Sequence, residues 1–127
     1  MVWLGIDEVL ELHKMLIVQT GGSYELRDRG ILEGILASGE SGFGGVEFYP
    51  SVLEKIAKVA SAMIQNHPFV DGNKRIGMMI LLVLLELNGI KIEFSNDEIE
   101  NLGLSLAEGR CKYEDLLKIL QEKCGEC

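Results

Sequence analysis

Apolar residues recur at helical spacing through most of the chain. Ile6, Val9, Leu10, Leu16 and Ile17, with His13 on or beside the same stripe, predict a helix over 6–19 that Gly21-Gly22 ends. His13 on such a stripe reads as a buried, hydrogen-bonded structural histidine. Ile31, Leu32, Ile35 and Leu36 form one face of a shorter helix over 27–37, with Asp28 as N-cap. Ser51-Val52-Leu53-Glu54 is a capping box and opens a helix to Asn66. Val52, Ile56, Val59, Ala60 and Met63 make its buried face, and Glu54, Lys55 and Lys58 are expected in solvent. Pro68 disfavours helical geometry at His67 and ends that helix.

The next helix, 74–87, is polar at its start and then apolar on all sides, which predicts a central, buried position. Met78 and Met79 read as core filler. Gly77 costs about 1 kcal/mol against Ala inside a helix, so close packing is expected to compensate. Asn88-Gly89 ends the helix, and 91–94 reads as a short extended piece. A second capping box, Ser95 to Glu98, opens a helix through about Ala107. Tyr113 to Glu122 is the last helix, with Leu116, Leu117 and Leu120 inward. The pattern predicts an all-α fold in a single domain over 1–127, with no repeat, linker or low-complexity segment.

One long stretch breaks the helical pattern. Between Ser38 and Tyr49, Gly39, Gly42, Gly44 and Gly45 give mobility, while Phe43, Val46, Phe48 and Tyr49 supply apolar anchors. A phosphate-binding loop of the Walker type is excluded, because the Gly-Lys-Ser/Thr ending is absent.

Charge narrows the function. A formal net charge of −8 argues against direct nucleic-acid binding, which rests on Lys and Arg neutralising phosphates. Asp7, Glu8 and Glu11 stand where the apolar region of a signal peptide would be. The run 76–87 is shorter than the roughly 20 apolar residues a membrane span needs. A cytoplasmic protein without a membrane partner is expected. Cys111, Cys124 and Cys127 form no disulfide framework; the terminal Cys124–Cys127 spacing reads as a reduced tail rather than a zinc or redox pair.

The chemistry concentrates in nine residues, His67-Pro68-Phe69-Val70-Asp71-Gly72-Asn73-Lys74-Arg75, between two helices. Gly72 permits a backbone conformation that bulkier residues resist. Asn73 or Lys74 is expected to start the next helix, with Asn a preferred N-cap. The N–H groups of its first turn, with the helix dipole, make an anion site. Lys74 and Arg75 add two cations at its edge, and a guanidinium suits bidentate phosphate binding. Asp71 is a hard oxygen ligand for Mg²⁺ on a di- or triphosphate. His67 suits a general base near neutral pH. The same residues also read as an ordinary turn, a surface histidine and solvated charge, and spacing alone leaves both readings open.

This stretch resembles the signature of the Fic/Doc family, His-Pro-Phe-x-Asp/Glu-Gly-Asn-x-Arg, and meets every fixed position. Leu26-Arg27-Asp28-Arg29-Gly30-Ile31-Leu32-Glu33, the run Phe43 to Pro50, Glu86-Leu87-Asn88-Gly89 and the chain length are similar to the shorter Doc, or death-on-curing, branch. The resemblance implies a compact helical bundle around a central helix, with 38–49 as a short hairpin or extended flap over the site that holds a target peptide strand against strand. It implies ATP and Mg²⁺ as ligands and transfer of part of the nucleotide to a protein hydroxyl. His67 would take the hydroxyl proton, and Asp71 would hold the metal. Asn73 would orient a phosphate, and the backbone around Gly72 to Lys74 would cradle it. Arg75 would pair with another phosphate and stabilise charge during transfer, and Phe69 would pin the loop.

The variable position separates subclasses. AMP-transferring Fic enzymes commonly carry Gly where this chain has Lys74; Doc toxins carry Lys there, bind the nucleotide in the reversed sense and act as kinases on elongation factor Tu, arresting translation. The implied function is therefore a toxin kinase, with AMP transfer, or a non-catalytic antitoxin-binding regulator, as the alternatives. Gly72 departs from the Ala of many Doc toxins, so the loop is a hybrid. The built-in inhibitory pattern Ser/Thr-x-x-x-Glu-Gly/Asn is missing: Ser105 to Glu108-Gly109 is one residue short. The implied brake is a separate Phd-like antitoxin whose tail docks as a helix in a groove.

Overall fold

The computed structural model describes residues 1–125. Helix α1 (Ile6–Thr20) buries Val9, His13, Leu16 and Ile17 and stops at Gly21. Helix α2 (Arg29–Ala37) starts behind Asp28, whose carboxylate accepts from the Ile31 N–H. A 3₁₀ turn, Ser38–Glu40, leads into a two-stranded antiparallel hairpin, β1 (Gly42–Phe43) and β2 (Val46–Glu47). Gly44 and Gly45 join the strands with φ of 59° and 83°; both lie in the left-handed region, as the tight hairpin turn that matches strand twist demands.

Helices α3 (Val52–Asn66) and α4 (Asn73–Leu87) form the centre. The Ser51 and Ser95 capping boxes form as expected at α3 and at α5 (Asn96–Ala107). Helix α6 (Tyr113–Cys124) seals the core with Leu116 and Leu120. Residues 91–94 carry no sheet pairing. The α3–α4 crossing is close because Gly77 has no side chain: a Cβ there would collide with Cγ1 of Ile64 and sit 3.3 Å from the Ala60 carbonyl oxygen. That contact is the compensation expected for a helical glycine. The fold is all-α with one small hairpin. No described helix is long and apolar enough to cross a membrane.

Three expectations change. Lys55 is not free in solvent: its ammonium donates to the Gly39 carbonyl at 3.0 Å and pairs with Glu47 at 2.9 Å, tying the hairpin base to α3. Phe43, Val46 and Phe48 are exposed rather than anchoring; of the four only Tyr49 is partly covered, edge-on to Tyr113 and under the Lys58 ammonium. Two-residue strands have too little surface to bury both faces. Helix α4 is buried on most but not all sides, and Met79, Leu82 and Val83 line an open groove. Met79 is half-buried, packed against the core and bordering the groove. The reading of a reduced tail falls partly on Cys127, which lies outside the described residues.

Candidate active site

The loop between α3 and α4 is held from three sides. Helix α3 ends at Asn66, and His67 takes φ 48° and ψ 62°, the one left-handed residue other than glycine among those described. The Arg27 guanidinium bridges the last two carbonyls, donating from Nε to His67 O at 2.6 Å and from Nη2 to Asn66 O at 2.9 Å. The main chain around Arg27 runs antiparallel to the loop. Arg27 and Asp28 N–H groups donate to Pro68 O at 2.8 and 3.1 Å, Val70 N–H donates to Glu25 O at 3.0 Å, and Leu26 bridges Phe69.

Phe69 is the loop's anchor in the core, 1% exposed. His13 stacks on it with centroids 3.6 Å apart and planes 9° from parallel. The His13 Nε2 lies 2.7 Å from the Asp71 carbonyl oxygen. A carbonyl only accepts, so this nitrogen carries the proton. His13 is thus the buried, bonded histidine expected, and its partner is the loop itself.

Asn73 has a different task from the one its sequence position suggests. Its side-chain oxygen accepts from the Phe69 N–H at 3.0 Å, and its amide nitrogen donates to the Phe69 carbonyl at 2.9 Å. The side chain is engaged with Phe69 and does not cap α4; the helix N-cap is Gly72. The amide nitrogen also lies 3.5 Å from His67 Nδ1, a separation that marks proximity but is too long to fix the tautomer. Gly72 has φ 79°, and a Cβ there would stand 3.1 Å from Ile17 Cδ1 and 3.4 Å from His13 Nε2. Glycine relieves both the strain and the crowding, a local reason for the departure from Ala.

Around this frame the reactive groups stay open. His67, Asp71, Lys74 and Arg75 are exposed. One Asp71 carboxylate oxygen accepts from the Ser23 N–H at 2.8 Å, and the other takes no hydrogen bond among the described residues. No three His, Cys, Asp or Glu side chains converge as a metal site among the described residues, so a cation on Asp71 must draw its remaining ligands from elsewhere. Phosphate oxygens meet that need. Lys74 lays its stem over Gly103 of α5, where a Cβ would approach its Cγ to 3.2 Å. Arg75 donates to the Thr20 hydroxyl, which itself donates to the Leu16 carbonyl at 2.9 Å. That hydroxyl is left with lone pairs only, and it sits at the partially negative end of α1.

The start of α4 differs from the other helix starts. Asp28, Ser51 and Ser95 side chains cap α2, α3 and α5. Glu8 accepts from the Gly5 N–H at the start of α1, and Asp115 accepts from the Lys112 N–H at the start of α6. Helix α4 has no side-chain cap and no acidic residue in its first turn. Its first intrahelical bond is Ile76 N–H to Gly72 O, so the preceding N–H groups lack helical partners. An uncapped helix start flanked by Lys74 and Arg75 is suited to an anion.

The expected flap lies elsewhere. Lys55, which fixes the hairpin, is twelve residues from His67 on the same helix, about 18 Å at 1.5 Å per residue. The segment beside the loop is 22–28 instead, and a Cβ on Gly22 would stand 3.2 Å from the Asp71 Cβ. Arg27, Ser23 and Thr20 were not candidates from sequence, because each acts on a partner at least 39 positions away.

A groove of about 730 Å³ runs from this site between α1, α4 and α5. Leu16, Met79, Leu82, Val83 and Leu104 line it, and Lys74 and Arg75 stand at its loop end.

Known proteins share similar sequences with this chain. The Fic/DOC family profile matches residues 3–85. The chain is 33% identical over 107 residues to the protein named Toxin Doc of Mycolicibacterium smegmatis, covering 83% of this chain and 80% of that one. It is 26% identical over 119 residues to Protein kinase doc of Escherichia phage P1, covering 94% and 93%.

Proposed function

The chain belongs to the Fic/Doc family, and on that premise we propose that it is a Doc-type toxin transferring the γ-phosphate of ATP to a Ser or Thr hydroxyl of a target protein, elongation factor Tu, so that translation stops. The observation that carries the reading is the uncapped start of α4, with an exposed carboxylate, Asp71, and an exposed imidazole, His67, on the loop that leads into it. A phosphate chain satisfies the unpaired N–H groups, and Lys74 and Arg75 offset its charge. Asp71, with one carboxylate oxygen left open by Ser23, would hold Mg²⁺. MgATP supplies the phosphoryl group and a leaving ADP.

The chain's own residues do the rest. His67 accepts the proton of the target hydroxyl as that oxygen bonds to phosphorus, a step worth roughly 10²–10⁴-fold. The ring must then be neutral, with one nitrogen free to accept that proton. Arg75 stabilises charge on the transferring group. Asn73 acts through the loop, holding Phe69 and with it the distance between His67 and α4. The outer edge of 23–26 is where an extended target segment pairs, replacing the hairpin in that role. The groove between α1, α4 and α5 takes the amphipathic helix of a Phd-like antitoxin, its apolar side on Met79 and Leu82.

AMP transfer is the second reading, favoured by Gly72, which matches the Gly-Asn pair of AMP-transferring relatives. Elongation factor Tu incubated with ATP labelled at the α- or γ-phosphate separates the two. Label from the γ-position alone is expected, and none with His67→Ala. Label from the α-position would make the chain an AMP transferase. Label from neither, or a folded His67→Ala that still transfers, would remove the mechanism.

A further inference from the structure

We infer that Arg27 is a positioning residue for the base: it holds His67 in the left-handed conformation that presents the imidazole, and it links that conformation to the segment beside the loop. The inference rests on His67 being the base, as proposed above.

Stability alone does not call for this arrangement. A helix end in the left-handed region is served by glycine, which adopts it without a Cβ penalty. Here an imidazole-bearing residue occupies it, with φ 48°. A backbone held in a sparsely populated region persists only when its surroundings over-determine it. Arg27 supplies that restraint. Its two bonds, 2.6 and 2.9 Å, fix the carbonyls of His67 and Asn66, which straddle the turn out of α3. A planar guanidinium reaches both oxygens at once, whereas an ammonium is a single point donor.

Arg27 is itself fixed by its main chain, because its N–H donates to Pro68 O at 2.8 Å. The same residue therefore grips the loop before and after His67. A shift of the 22–28 segment moves the guanidinium and, through it, the turn that aims the imidazole. Arg27 touches neither nucleotide nor target hydroxyl in this scheme; it acts through His67. It is exposed, so its replacement opens no hole in the core.

The test uses the full chain with γ-labelled ATP and elongation factor Tu, and compares Arg27→Met and Arg27→Lys with the natural protein. Arg27→Met keeps the aliphatic stem and loses both bonds. It is expected to lower kcat roughly tenfold or more, as misplaced catalytic groups do. KM for ATP is expected to stay within about twofold, because the loss falls on the chemical step and not on nucleotide binding. Arg27→Lys reaches one carbonyl and is expected to recover part of kcat; it also serves if Arg27→Met does not fold. The Cα and Cβ chemical shifts of His67 are expected to leave the left-handed range in Arg27→Met. An unchanged kcat, a rise in KM that matches the loss, or unchanged His67 shifts would overturn the positioning role. A His67→Ala control that retains transfer overturns the base assignment itself, and the positioning role with it, whatever the Arg27 variants do.

Discussion

The Asn73 side chain closes on the backbone of Phe69 from both ends, accepting from its N–H at 3.0 Å and donating to its carbonyl at 2.9 Å. Asn73 is 8% exposed and Phe69 1%, so water does not replace either bond. Asn73→Ala leaves a buried donor and a buried acceptor unpaired, at about 1–3 kcal/mol each. We expect a loss of about 2–6 kcal/mol by denaturant unfolding, and reduced transfer beyond the loss of folded protein. Asn73→Asp keeps the acceptor but sets a carboxylate oxygen against the Phe69 carbonyl, and is expected to be no better. Transfer at natural rates in either variant would remove Asn73 from the support of the loop.

Gly77 makes a second prediction, because two effects of known sign oppose each other there. Alanine gains about 1 kcal/mol of helix propensity. Its Cβ also collides with Ile64, and overpacking costs about 1–3 kcal/mol. The collision is with a buried side chain packed in the core, so it is expected to win, and Gly77→Ala lowers Tm. Ile64→Ala, which removes both Cγ1 and Cδ1, is expected to cost less in the Gly77→Ala background than in the natural protein. Additive losses in the pair would show that Ile64 is not the obstacle.

How much of this was legible in the sequence varies with the range of the interaction. Caps act over three residues, so Asp28, Ser51 and Ser95 announced their helices, and the spacing of Ile56, Val59, Ala60 and Met63 announced a buried face. The loop's residue types were equally plain. What was hidden depends on partners far along the chain. Asn73 reads as a cap until Phe69 is known to turn its backbone toward it. Arg27 reads as solvated charge until the end of α3 arrives beside it. The glycine-rich segment 38–49 reads as a flap because mobility is written in its composition, but its position is not: that was set by Lys55, which reads as a surface lysine. The apolar run of α4 likewise does not reveal which stripe lacks a neighbour.

Acid stability offers a third test. Lys123 and the Ser95 N–H hold Glu98 well below its ordinary 4.5, at about 2. A depressed carboxylate contributes stability above its unfolded value and loses it as pH falls toward the folded value. Natural protein is therefore expected to melt above Glu98→Gln at neutral pH. The gap closes between pH 4.5 and about 2, and added salt narrows it because the pair is exposed. A gap constant across that window would show that Glu98 is not selectively stabilised as the anion.

The choice between phosphoryl and AMP transfer turns on Lys74, at the second position of α4. Its stem fills the space against Gly103, and its charge stands beside Arg75 at the end of the groove. Lys74→Gly empties that space and removes one cation from the anion site, while costing at most about 1 kcal/mol of helix propensity at an exposed helix start. We expect γ-label transfer to fall and α-label transfer to appear, because the cleared space admits the nucleotide in the opposite sense. Lys74→Met separates the two causes. It keeps an apolar stem over Gly103 and drops the charge, so if filled space sets the orientation it transfers γ-label only, at a lower rate. If charge sets it, Lys74→Met behaves as Lys74→Gly does. Undiminished γ-label transfer with no α-label in Lys74→Gly would show that the orientation is decided elsewhere in the loop, with Gly72 the next residue to exchange.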